Sequence, residues 1–214
     1  MKKYIILVLL SMVVVCSFSQ KVSNSEFQFP IKPGDGKWEK MNSVKDRIDA
    51  LQMPATTLAS ISTEKLLDIC LDFPYLLDVL FYDDYQKGLN VLRTEFNGFD
   101  ELLNRKDLGK IILSKDKRFP LELDKIKGKN NIEKGNFSLQ CFVLDLILAQ
   151  KNIVATLSGS EKDELLNITI NNLELKTKQQ DIFGSISTTP LYLSSVKDAL
   201  IDSNSKLKDS GPDS

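Results

Sequence analysis

Residues 137–150 read FSLQCFVLDLILAQ, and the spacing of their apolar side chains decides the fold. Leu139, Phe142, Val143, Leu146 and Ile147 recur at helical intervals on one face, with Leu144 and Leu148 off it. A helix apolar nearly all round belongs at the centre of a domain. Working outward, the same period returns on both sides. Leu108, Ile111 and Ile112 mark a helix between Arg105 and Lys115, and Leu89, Leu92 and Phe96 form one stripe at i, i+3 and i+7 behind an Asp83-Asp84 cap.

Further back, Asn42 or Ser43 caps a short helix carrying Val44, Ile48 and Leu51. Pro54 suits the first turn of the next helix, which ends near Ile61. Ser62-Thr63-Glu64 opens a third, which Pro74 stops, and Leu76 to Phe81 makes another short one. Asn97-Gly98 closes the Leu89 helix, and the lysine-rich stretch from Phe119 to Gly135 reads as a loop.

Beyond the central helix, Ser160, Glu161 and Asp163 start a long segment toward Gly184. Ile168 to Leu175 also alternates, so a hairpin at Asn171-Asn172 competes, but no other segment offers a sheet to join. A last helix starts at Pro190. The expectation is an all-α single domain of about nine mostly short helices in antiparallel pairs, irregular and α-solenoid-like. Its boundaries are a leader over 1–19, an extended lead-in over 20–37, the helical domain over 38–202 and a disordered tail over 203–214.

The leader follows from Lys2 and Lys3, an apolar run from Tyr4 interrupted at Ser11 and resuming to Val15, and small residues at Ser17 and Ser19. That pattern is a secretory signal peptide with cleavage between Ser19 and Gln20. Lipidation at Cys16 is the alternative, although Val15 fits poorly where a lipobox needs a small residue. The apolar run is too short for a retained transmembrane anchor.

Composition excludes more than it includes. The chain contains no histidine, which removes Ser-His-Asp, Cys-His and His-zinc chemistry. Apart from Cys16 it has Cys70 and Cys141, too few for a cysteine zinc site. Those two are either buried free thiols or, in an oxidising compartment, a disulfide. Without Lys2 and Lys3, 26 basic residues face 29 acidic ones, a net charge of −3 that gives no reason to expect a nucleic-acid partner.

Several motifs occur together: Pro33-Gly34 with Trp38, Ile61-Ser62-Thr63-Glu64-Lys65-Leu66-Leu67, Cys70-Leu71-Asp72-Phe73-Pro74, and Phe96-Asn97-Gly98-Phe99-Asp100-Glu101-Leu102 with Arg105-Lys106-Asp107. Over residues 33–185 this set resembles a group of uncharacterised exported helical proteins of Bacteroidota-type bacteria. The resemblance implies a bacterial envelope or secreted protein and brings no activity, cofactor or functional residue with it.

Candidate sites are few. Trp38 beside a glycine-rich turn would stack on a sugar ring, or else pin the lead-in to the first helices. Asp145 in the most apolar helix would have a raised pKa suited to acid catalysis, or else face a wet stripe with Ser138. Asp83-Asp84 lacks a calcium-loop pattern, and Pro33-Gly34-Asp35-Gly36-Lys37 lacks the spacing of a phosphate loop, so neither is a metal or cofactor site. Asn136-Phe137-Ser138 and Asn167-Ile168-Thr169 match glycosylation acceptors, which matter only in a eukaryotic host.

Charge is uneven: residues 60–104 hold three basic groups against nine acids, and 105–134 hold ten against five. A basic loop bearing Lys115, Lys117, Arg118, Lys125, Lys127 and Lys129 would orient an anionic partner. The expectation is a binding or scaffold module of the envelope, acting on a protein or glycan, with a carboxylate-based glycan hydrolase as the alternative.

Overall fold

The computed structural model describes residues 27–184. The leader with Cys16 and the Ser19-Gln20 junction, the helix expected from Pro190 and the tail over 203–214 lie outside the described residues.

Among the described residues every regular element is helical, and there are twelve helices where about nine were expected. After a turn at Gly34, whose φ of +89° only glycine adopts without strain, comes α1 (Gly36–Glu39). Then follow α2 (Val44–Leu51), α3 (Ala55–Ser60) and α4 (Thr63–Leu71). Ser43 and Ser62 cap α2 and α4 by accepting the backbone N–H groups of Asp46 and Lys65. A 3₁₀ helix (Leu76–Phe81) succeeds Pro74, and Asp84 caps α5 (Tyr85–Glu95).

α5 ends just before Asn97-Gly98, as expected, but the same two residues open α6 (Asn97–Leu103), whose Phe99 and Leu102 are fully buried beside Phe96. The side chain of Asn97 accepts from Met53 N and donates to Met53 O, and Gln52 in turn receives Asn97 N and donates to Glu95 O. Two carboxamides thus stitch the end of α2 to the α5–α6 junction and satisfy backbone groups that a break in helix exposes.

The largest departure is α7 (Leu108–Ile126), which runs through Pro120 and into the first half of the stretch expected to be a loop. Its buried stripe continues past Ile112 to Phe119 and Leu123. α8 begins at Asn131 with an Asn130–Glu133 capping box and runs to Leu148. α9 (Lys151–Val154) leads to α10 (Gly159–Lys178), which is capped by Ser158 with Glu161 and not by Ser160. Residues 168–175 are helical, without a hairpin, and α11 (Gln180–Phe183) follows.

The main core joins α1 through α10. Phe73 stacks on Phe96 at 4.8 Å, and Phe29 of the lead-in packs against Phe96 at 5.4 Å. Gly88 lets α5 lie directly on the Val79 carbonyl of the 3₁₀ helix, where a Cβ would collide with backbone. A smaller apolar cluster of Phe119, Leu123, Cys141, Ile182 and Phe183 ties α11 to α7 and α8.

Candidate functional site

Pro120 sits inside α7, so it has no N–H to offer the carbonyl four residues back, and its ring presses on that carbonyl. The residue four back is Asp116. Its freed carbonyl accepts Nδ2 of the buried Asn172, at 3.1 Å, from α10. A second helix therefore supplies the donor that the proline removes from α7.

Around this break lies a cavity of about 60 Å³ walled by α7, α8 and α10. Asp145 of α8 meets Lys176 of α10 in an ion pair of 2.7 Å, with side-chain exposures of 13% and 17%. Lys176 also lies 5.7 Å over the ring of Phe119. Burial works most strongly against the Lys176 ammonium, yet Asp145, Cys141 and Asp116 together outweigh it and the pKa rises.

Asp116 lines the same cavity, and no donor among the described residues hydrogen-bonds its carboxylate. The two nearby cations are engaged elsewhere: Lys176 with Asp145, and Lys115 with Asp68 of α4 at 2.8 Å. Burial, and then the charge of Asp145, push the Asp116 carboxyl up to about 7, against the pull of Lys176 and Lys115. Burial likewise pushes the neighbouring Cys141 thiol up to about 12.

A carboxyl titrating near neutrality is thus present, but on Asp116. The helix expected to end at Lys115 stopped one residue short of it. The continuing intervals from Ile112 to Phe119 and Leu123 were the signal for a longer helix. Ser138 does not share a wet stripe with Asp145, being 2% exposed with no partner for its hydroxyl among the described residues.

Trp38 is buried, stacked on Tyr75 at 5.3 Å with the Arg47 guanidinium 5.2 Å over its ring, which is packing and not an open platform. Cys70 and Cys141 are buried free thiols, one in the main core and the other in the smaller cluster. Among the described residues no group of three or more acids and cysteines is placed to hold a metal ion.

All six basic residues expected to form a patch pair within the chain. Lys115 meets Asp68, Lys117 meets Glu164, and Arg118 meets Glu64, while Lys125, Lys127 and Lys129 meet Glu122, Asp124 and Glu133. Lys115–Asp68 and Arg118–Glu64 join the basic stretch to the acidic one before it, Lys117–Glu164 joins α7 to α10, and the last three pairs are local, three or four residues apart.

A second concavity, of about 710 Å³, is open to solvent between the lead-in, the end of α4, the 3₁₀ helix and α8. Phe29 and Leu77 contribute apolar surface, and Lys32, Asp72, Asn136 and Gln140 contribute polar groups. Gln140 donates to Leu71 O and to Asp72 Oδ1, which fixes the polar wall. Leu77 is 51% exposed. No helix of the described residues is long and apolar enough to cross a membrane. No family model, curated protein or solved structure matches the chain.

Proposed function

We propose that the chain is an exported module of the bacterial envelope that binds a protein or glycan partner and does no chemistry on it. The observation that carries this is the groove of about 710 Å³, which mixes apolar and hydrogen-bonding surface and lies within the roughly 300–1,000 Å³ of ordinary ligand sites. The leader-like residues 1–19 support export. We also take the array as an irregular solenoid-like stack, because the 3₁₀ helix packs on α5, α5 on α6, α7 on α8 and α10 on α11.

The hydrolase reading retains one specific support, two carboxylates on one cavity with Asp116 able to carry a proton near neutral pH. Against it stands the cavity volume of about 60 Å³, room for about four waters and far below a substrate pocket. The binding reading is tested by retention of a partner from native envelope extract by wild-type chain and by groove variants. Screens for glycan cleavage with Asp116→Asn and Asp145→Asn controls test the other.

A further inference from the structure

The junction of α7, α8 and α10 contains more charge than it has partners for. Asp145 pairs with Lys176, Lys115 is drawn to Asp68, and the Asp116 carboxylate is left facing the cavity without a donor among the described residues. The groups around it are Lys115 and Glu122 on its own helix, Cys141 and Asp145 on α8, and Lys176 on α10. Protonated, Asp116 is a neutral polar group beside a satisfied ion pair. Ionised, it becomes a second carboxylate next to Asp145, while Lys176 is engaged with Asp145 and Lys115 with Asp68, and a half-buried charge beside a like charge is unfavourable.

We propose that this junction is a pH-sensitive latch, in which loss of the Asp116 proton loosens α10 and α11 from α7 and α8. Three features make α10 the element that yields. At this point it holds α7 through the Asn172 bond to the Asp116 carbonyl and the Lys176 ammonium over the Phe119 ring, while the Lys110–Glu161 and Lys117–Glu164 pairs lie nearer its N-terminus. Its hold on α8 is the Asp145–Lys176 pair, the same pair that a second negative charge perturbs. α11 beyond it is kept in place by Ile182 and Phe183 on the small aromatic cluster and by the Lys134–Asp181 pair, contacts that face the same cavity wall through Phe119 and Phe137. The first half of α10 belongs to the main core through Leu165 and stays with it, so the part that opens is the second half, from Asn172 on. The carboxyl titrates near 7, so the change falls between mildly acidic and mildly alkaline surroundings.

The test is hydrogen exchange with mass spectrometry on the full chain, corrected for intrinsic rates, at about pH 6 and about pH 8. Wild-type peptides from 172–184 are expected to lose about tenfold in protection at the higher pH, while peptides from 44–71 do not change and Asp116→Asn shows no loss. Equal loss in Asp116→Asn, or none in wild type, overturns the latch. If Asp116→Asn does not fold, carboxyl-carbon NMR of the wild type decides: a midpoint for Asp116 near 7 supports the latch, and one in the ordinary aspartate range ends it.

Discussion

Asn172 of α10 hydrogen-bonds the carbonyl of Asp116 at 3.1 Å, replacing the in-helix donor that Pro120 removes from α7. A local backbone defect and a buried side chain on another helix are therefore one unit. Each explains the other. A proline in mid-helix costs about 3 kcal/mol when nothing compensates it.

Removing Asn172 should leave a buried carbonyl unsatisfied. Asn172→Ala is expected to destabilise the chain by about 1–3 kcal/mol. In a Pro120→Ala background the restored N–H serves Asp116, so the same substitution should cost less by about 1 kcal/mol. Urea unfolding of the four proteins measures the coupling, and strict additivity would show the two residues to be independent.

Stability should depend on pH through Asp116. Its carboxyl is raised from 3.8 to about 7 in the folded chain, so between those values the native state keeps a proton that the unfolded state has lost. The resulting stabilisation is full below about pH 4 and is lost as pH rises through about 7, by up to about 4 kcal/mol. Asp116→Asn should flatten that slope in denaturation curves recorded across the range. A parallel slope in the variant would assign it to other groups.

Gly88→Ala should reverse the usual sign of a glycine-to-alanine change in a helix. Alanine is ordinarily favoured there by about 0.5–1 kcal/mol. At Gly88 the added Cβ meets the Val79 carbonyl, so a loss of about 1–3 kcal/mol is expected. Gly135 of α8, with nothing near its Cβ position, is the control. Thermal melts of both variants distinguish contact from propensity.

Much of this fold was legible because capping residues and apolar intervals are local signals. Ser43, Ser62 and Asp84 cap the helices they were read to cap. What was not legible depended on partners far along the chain. Pro120 and its neighbouring lysines look like a loop until Asn172, 56 residues from Asp116, supplies the bond that lets the helix continue. Asp145 stood out as a charge in an apolar helix, but its partner Lys176 is 31 residues away, and the acid beside it lay beyond the helix end expected at Lys115. The basic run likewise showed its charge but not its partners, since Arg118 reaches Glu64 across 54 residues.

Both cysteines should resist modification in the native chain. Cys70 is fully buried and Cys141 nearly so, and burial raises both thiols, holding the reactive thiolate scarce. Titration with a thiol reagent should find neither group reactive in native buffer and both in denaturant. One fast-reacting native thiol would contradict this placement.

The central claim, a binding module acting through its groove, is tested most directly by capture from native envelope extract with the chain from Gln20 to Ser214. Three baits are compared: wild type, a groove variant carrying Lys32→Glu and Leu77→Asp, and a control carrying Lys125→Glu and Lys127→Glu on α7. The account predicts a protein or glycan that wild type and control retain, that the groove variant loses, and that binds again when purified. Equal retention by the groove variant, or an empty capture by wild type at both low and moderate salt, would contradict it.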